Sequence, residues 1–281
     1  MKESDKGIFY IVLAQVLFSL MYIFVRFIPS FGSYNLAFAR VLLAAIIFFG
    51  ISILFKKYPI QKIRKEKIKL LAFGAIHGFI ILAAYISIYF LTIASAMLLQ
   101  STLSIWMVFF SWAILKEKLN SRIIVSMLIS LIGLVILFPL SDFLIKKSFI
   151  GILAGLFVGI FGGLVYVVSK TFKSYNSFSL TFWQNLIATP FLIPLLFFQK
   201  PIINSYNLAF VFLIALFGAV AFLYTFLGLK KVSGMLASLL PMLNIVLTII
   251  LAIFFFKEIP SIRETIGGVF ILGGIFNILR K

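Results

Sequence analysis

Along the chain, apolar residues fall into long uninterrupted blocks, and the charged residues collect in the short gaps between them. The blocks cover residues 7–28, 34–55, 70–91, 94–115, 122–140, 149–170, 178–199, 206–228, 233–256 and 263–279. Each is close to the roughly 20 residues that a helix needs to cross the hydrocarbon layer of a bilayer. Strands of a membrane barrel would instead show about ten residues of strict alternation, and these blocks are continuous. The pattern predicts an all-α integral membrane protein with ten transmembrane helices. The first block is too long for the apolar region of a signal peptide and has no small-residue cleavage site after it, so it is expected to be retained.

Composition supports the same class. Of 281 residues, 63% are hydrophobic and 11% charged, with a mean hydropathy of +1.21. Soluble domains carry roughly 25% charged residues, so this chain lacks the polar surface to cover a water-facing core. The absence of cysteine removes disulfides, thiolate catalysis and Cys-ligated metal centres. With His77 as the single histidine, a two-histidine metal site within one chain is excluded as well. No cofactor and no metal are expected.

The 25 basic and 7 acidic residues give a formal charge of +18. Such a charge can mark a nucleic-acid binder, but basic loops flanking membrane helices have a commoner cause, which is topology. With a cytoplasmic N-terminus, 18 basic residues fall inside and six outside, the six being Arg26, Lys146, Lys147, Lys200, Lys257 and Arg263; Arg40 lies within a span. Both termini are therefore expected in the cytoplasm, with the protein multi-pass in the plasma (inner) membrane. The longest loop, from Lys56 to Lys69, is dense in Lys and Arg. It reads as a topology anchor, and contact with anionic headgroups is the alternative.

The two halves echo one another. Leu115-Lys116-Glu117, Arg122 and Gly133 match Phe256-Lys257-Glu258, Arg263 and Gly274 at an offset of 141. At an offset of 144, Leu20-Met21-Tyr22-Ile23 and Arg26 match Leu164-Val165-Tyr166-Val167 and Lys170, and Phe38, Leu42 and Ala44 match Phe182, Leu186 and Ala188. At 138, Ser95, Met97 and Leu98 match Ser233, Met235 and Leu236. The matches keep their order along the chain, which divides it into repeats over residues 1–145 and 146–281. Five spans is an odd number, so the second repeat enters the membrane from the opposite side. Inverted repeats are a usual architecture of secondary transporters, with a site between the halves that opens alternately to each side.

These residues resemble the drug/metabolite transporter superfamily, specifically its ten-helix members built from two EamA-type repeats. The resemblance rests on Arg40 within Phe38-Ala39-Arg40-Val41-Leu42-Leu43-Ala44, on Lys116-Glu117-Lys118-Leu119 and Lys257-Glu258 ending the fourth and ninth spans, on the glycine-rich fifth and tenth spans, on Phe182-Trp183-Gln184, and on Pro241. The chain departs from the family at Phe18-Ser19, where Trp-Gly is frequent, and at Gln100, where a proline matching Pro241 is expected. The resemblance implies a central cavity surrounded by spans one, three, four, six, eight and nine, with the others supporting them.

Polar residues inside the spans are the candidates for the site, because such residues are costly in a membrane. All seven acids, Glu3, Asp5, Glu66, Glu117, Asp142, Glu258 and Glu264, fall in tails, loops or helix ends. Arg40 can bind a carboxylate or phosphate, or it can snorkel and tie down helix-end carbonyls; its place on a supporting span favours the second. His77 can bond substrate, titrate during a cycle, or bond a neighbouring helix. Tyr22, Tyr85, Gln100, Trp106, Tyr166, Tyr224 and Asn244 complete the expected substrate-binding set, each aromatic with packing as its competing role. Gln100 and Asn244 are favoured, since a buried amide needs partners. Trp183-Gln184-Asn185 reads as interhelical bonding. Gly151, Gly155, Gly159 and Gly163 place a small-residue stripe on one helix face, for packing or for a sliding, cavity-lining surface. Pro241 is expected to kink the ninth span as a hinge or as a static bend. Glu117 and Glu258, near Arg122 and Arg263, are expected in structural or gate-latching roles.

No H-E-x-x-H, G-x-S-x-G or P-loop motif occurs, and no carboxylate pair lies within a span. No enzyme activity is expected, and no channel filter is visible. The expectation is a secondary, non-ATP transporter of a small organic metabolite, an amino acid or another zwitterion or anion. A flippase of a lipid or lipid-linked sugar is the alternative. The expected partners are a small-molecule substrate and the lipid bilayer, with a homodimer left open and no nucleic acid.

Overall fold

A computed structural model describes residues 2–55, 59–63, 66–91, 93–137, 148–257 and 262–280, without the side chains of Ala94, Leu137, Ser148 and Glu264. Every regular element among the described residues is helical. In order these are α1 (Glu3–Phe27), a 3-10 turn (Pro29–Phe31), α2 (Ser33–Leu54), α3 (Lys67–Phe90), α4 (Ile93–Ser101), α5 (Leu103–Leu115) and α6 (Ser121–Leu137). The second half follows with α7 (Ser148–Ser169), α8 (Ser177–Leu192) running into a 3-10 segment (Ile193–Phe198), and α9 (Ser205–Leu229). It ends with α10 (Gly234–Ser238), a 3-10 turn (Leu240–Met242), α11 (Leu243–Phe256) and α12 (Ile262–Leu279). Counting α4–α5 and α10–α11 each as one run, eight helices are long and apolar enough to cross a bilayer. Two shorter apolar helices, Ser121–Ile136 and Thr265–Leu279, lie in α6 and α12. Asp142, Glu258 and the expected repeat boundary at 145/146 lie outside the described residues.

The local causes are legible. Asn176 and Asn204 cap α8 and α9 by accepting the backbone N–H of Ser179 and Asn207, each at 2.7 Å, which satisfies donors that a helix start leaves unpaired. Pro190 sits inside α8, and the chain tightens to 3-10 geometry from Ile193, as expected where a proline interrupts the backbone ladder. The long basic loop is tied down through Gln61, whose N–H donates to Ser179 Oγ at 2.9 Å and whose carbonyl accepts Trp183 Nε1–H at 2.8 Å. Outward-facing Val135, Phe254 and Phe276 are each at least 70% exposed, an apolar exterior that water would penalise and lipid does not.

Helix packing repeats between the halves. With α1 to α3 matched to α7 to α9, α4–α5 to α10–α11, and α6 to α12, every major neighbour pair has a mate. Helix α1 crosses α9 and α11, as α7 crosses α3 and α5; α2 crosses α9, as α8 crosses α3; α6 pairs with α12. The α6–α12 crossing is close because Gly133 lacks a side chain: a Cβ there would come within 2.6 Å of the Gly267 carbonyl oxygen. The offset of 141 read from the sequence reappears in backbone geometry. Lys116 and Lys257, which follow α5 and α11, both adopt the left-handed conformation, with φ of 57° and 54°.

Both matched runs are broken near their middles. The second contains the Leu240–Met242 3-10 turn around Pro241, in keeping with the expected kink. The first breaks at Thr102 although Gln100 replaces the proline. There the Ser101 and Thr102 hydroxyls donate back to Leu98 O and Leu99 O, each at 2.7 Å, a local bond that competes with the helical ladder.

Candidate functional site

Between the halves lies a cavity lined by residues of both. Helix α1 supplies Gln15, Phe18, Met21 and Tyr22; α3 supplies His77, Ile80, Ile81, Ala84 and Tyr85; α4 and α5 supply Met97, Gln100, Ser101 and Leu103. The second half supplies Val158, Gly162, Val165 and Tyr166 from α7, Phe222 from α9, and Pro241, Asn244 and Ile245 from the broken run. Arg40 reaches in from α2. Repeat mates line it together: Phe18 and Gly162, Met21 and Val165, and Tyr22 and Tyr166 at an offset of 144, and Gln100 and Pro241 at 141.

Seven of the nine expected site residues meet here: Arg40, His77, Gln100, Asn244, Tyr22, Tyr85 and Tyr166. Trp106 and Tyr224 do not. Trp106 points along α5, with its ring 6.1 Å from Phe109 and 6.2 Å from Phe110, and its Cβ lies against Gly163. Tyr224 packs on Tyr10 with ring centres 5.7 Å apart. Their positions follow from helix phase, which places both side chains away from the central gap. Gln15 and Phe222 were missed. Gln15 could have been found as Gln100 was, as an amide inside a span, whereas Phe222 is one of 35 phenylalanines and carries no separate signal.

The polar lining divides into satisfied and unsatisfied groups. Tyr22 Oη–H donates to Gln100 Oε1 at 3.0 Å, and Gln100 Nε2 donates to Ala84 O at 3.4 Å. Asn244 Oδ1 accepts Ser19 Oγ–H at 3.2 Å and Thr248 Oγ1–H at 2.9 Å, which ties α1 to α11. The His77 ring meets Phe222 edge-on at 4.7 Å, and Asn185 of α8 lies within side-chain hydrogen-bonding reach of it. Arg40 is 1% exposed, and its Nε and Nη1 are without partners. Phe222 covers the guanidinium at 5.5 Å. The Arg40 charge reaches Tyr22, His77, Tyr85 and Tyr166.

Arg40 thus enters the cavity from a helix expected only to support it. Gly218 on α9 makes this geometrically possible: a Cβ there would fall 2.6 Å from Arg40 Nε and 2.9 Å from Cζ. The glycine stripe of α7 is a close-packed contact face. A Cβ at Gly163 would lie 2.8 Å from Trp106 Cβ and 3.0 Å from Leu103 O, and one at Gly155 would lie 2.7 Å from Leu99 Cβ. The glycine of α7 that opens onto the cavity is Gly162, outside the stripe. On α8, Trp183 bonds the loop, Asn185 Nδ2 donates to Thr181 O of its own helix at 2.7 Å, and both amide atoms of Gln184 lack partners. Asn185 also lies within side-chain hydrogen-bonding reach of His77 on α3, the interhelical contact expected of this segment.

At the end of the bundle that carries the start of α1, Glu117 spans the two broken runs. Its carboxylate oxygens accept the backbone N–H of Gly234 at 2.8 Å and of Met235 at 2.9 Å, and Lys170 stands 3.8 Å away. Arg122, the expected partner, instead donates to Arg280 O at 2.6 Å; the carboxylate finds better company in the open helix start of α10. Lys170 also donates to Val232 O, Lys230 to Tyr175 O, and Lys231 pairs with Glu3. Burial lowers the pKa of Lys170 and Lys230 below the usual lysine value, with Glu117 opposing the effect at Lys170. Among the described residues, no cluster of three His, Cys, Asp or Glu side chains could hold a metal ion.

The whole architecture has a solved counterpart. A protein of known crystal structure superposes with a TM-score of 0.74 at 19% identity, covering 99% of this chain and 98% of its own, which shows a shared fold. An uncharacterized transporter of Clostridium kluyveri is 28% identical over 296 residues, 97% of this chain and 93% of its own length. An uncharacterized transporter of Helicobacter pylori strain J99 is 28% identical over 176 residues, 60% of this chain and 56% of its own. The sequence model of the EamA-like transporter family matches twice, over residues 5–138 and again over 149–280. With both halves matched and apolar helices throughout, this multi-pass membrane protein belongs to the EamA-like transporter family.

Proposed function

We propose that the chain is a secondary transporter, driven without ATP, that carries a small organic metabolite through the central cavity by alternating access. In this reading ten spans form two inverted five-helix repeats, with both termini in the cytoplasm and the protein in the plasma (inner) membrane. The observation that carries it is the cavity itself. Repeat mates from both halves line it, and the two broken runs, α4–α5 and α10–α11, flank it at corresponding positions. Discontinuous helices paired in this way mark the binding sites of inverted-repeat carriers. Arg40, His77, Gln100, Tyr22, Tyr85, Tyr166 and Asn244 form its polar lining, among apolar walls typical of small-molecule sites. The enclosed setting of Arg40, His77, Tyr85 and Gln100, each buried, suits a small solute better than a lipid-linked sugar. Glu117 closes the cytoplasmic end in this orientation.

The test is a thermal-shift screen of the purified full chain against amino acids, organic acids, nucleosides, sugar phosphates and lipid headgroups, followed by uptake of each hit into proteoliposomes. A ligand that binds the folded state raises its apparent stability. Uptake that is lost when the cavity is filled by Ala84→Phe supports the reading; uptake unchanged by that substitution contradicts it.

A further inference from the structure

We propose, building on the transporter reading, that Arg40 is the anchor for the anionic group of the substrate, which is an organic carboxylate or phosphate monoester with an apolar body. A guanidinium stays protonated under all ordinary conditions, so burial cannot be relieved by neutralising it. Yet Arg40 is buried, with Nε and Nη1 unpartnered, and among the described residues no carboxylate lines the cavity. An arginine that merely tied down helix ends would spend its N–H groups on carbonyl oxygens. Arg40 lines the cavity instead, and its unpaired Nε–H and Nη1–H groups can each donate to an anionic oxygen.

The repeat supplies a control within the molecule. The mate of Arg40 at an offset of 144 is Gln184, and the mate of Gly218 is Gly74. In one half the Arg40 guanidinium of α2 lies on Gly218 of α9; in the other the Ile187 side chain of α8 lies on Gly74 of α3, where a Cβ would come 2.6 Å from Ile187 Cβ and 3.3 Å from the Gln184 carbonyl oxygen. The same crossing is thus built once with an aliphatic side chain on the glycine, so packing does not require the guanidinium. Gln184, unlike Arg40, is not part of the cavity wall. The charge is placed on one side only, where Phe222 covers one face and Met21, Ile80, Ile81 and Met97 offer an apolar bed for the rest of the ligand.

The experiment measures binding of 4-methylpentanoate against its amide, and of phenyl phosphate against phenol, to the purified full chain by thermal shift. Wild type, Arg40→Lys and Arg40→Gln are compared, with uptake of the same compounds into proteoliposomes. A hydrogen-bonded charge pair leads us to expect at least about tenfold preference for an anion over its neutral partner. That preference should shrink in Arg40→Lys and vanish in Arg40→Gln, and the carboxylate and phosphate arms identify which anion is taken. Equal binding of anion and neutral partner, an undiminished preference in Arg40→Gln, or no stabilisation of wild type by any anion overturns the proposal. So does stabilisation by chloride alone with the same dependence on Arg40, which makes the site one for a simple counter-ion. Uptake of a neutral solute that survives Arg40→Gln would remove the anchor and leave the transporter reading standing. Arg40-dependent binding of an anion that never crosses the membrane would do the reverse.

Discussion

The guanidinium carbon of Arg40 stands 5.5 Å from the centre of the Phe222 ring, a contact between a helix outside the expected cavity wall and one within it. Phe222 also meets Phe18 at 5.1 Å and His77 at 4.7 Å, so one ring joins the three helices around the buried charge. The aromatic face recovers part of the cost of burying a cation but leaves its N–H groups without acceptors. Replacing a buried charge that has no acceptor by an apolar side chain of similar length removes its desolvation penalty. Arg40→Met is therefore expected to raise the apparent melting temperature of the ligand-free protein while abolishing uptake. A fall in melting temperature would mean that the guanidinium is already satisfied.

The Glu117 carboxylate holds the start of α10, and helix caps of this kind contribute about 0.5–2 kcal/mol. Glu117→Ala should destabilise the protein within that range. Glu117→Gln, which keeps one acceptor oxygen, should cost less. Thermal unfolding of the two variants side by side checks the order.

Two glycines in apolar helices should respond differently to alanine. At Gly163 a Cβ meets Trp106 Cβ at 2.8 Å and two backbone atoms at 3.0 Å, whereas at Gly268 its nearest neighbour is Val246 Cγ2 at 3.9 Å. Forcing atoms into a packed contact costs roughly 1–3 kcal/mol, and an unobstructed Gly→Ala change in a helix gains up to about 1 kcal/mol. Gly163→Ala should lower the melting temperature and Gly268→Ala should leave it equal or higher.

Burial lowers the pKa of Lys170 and Lys230 in the folded state. The folded protein then binds these protons less tightly than the unfolded chain does, so their charged forms oppose folding. That opposition is complete below the lowered values and fades as pH rises through them toward the ordinary 10.5. Melting temperature measured against pH should show this alkaline gain in wild type, and a smaller gain in a Lys170→Met, Lys230→Met double variant.

Much of this architecture could be read from the chain because the bilayer imposes its own period. Helix ends fell within a few residues of the apolar blocks, and the repeat offsets returned as shared left-handed positions at Lys116 and Lys257 and as repeat mates on one cavity wall, such as Tyr22 and Tyr166. Sequence was least informative where side-chain reach or helix phase decides. Arg40 enters the cavity only because Gly218 leaves space for it on another helix, a relation between residues 178 positions apart. Trp106 is turned away by the phase of α5, which restarts at the Thr102 break. Glu117 found the backbone of α10 rather than Arg122 because helix starts compete with side chains for a carboxylate.

The central claim, that one cavity opens to each side of the membrane in turn, can be tested directly because the chain has no cysteine. Ser101, buried on the cavity wall, becomes the sole thiol in Ser101→Cys, and a membrane-impermeant maleimide is applied from either side of oriented vesicles. The account predicts labelling from both sides, with Glu117→Ala raising the rate from the side carrying the start of α1 and lowering it from the other. Labelling from one side alone under every condition, or rates that rise together on both sides, would contradict it.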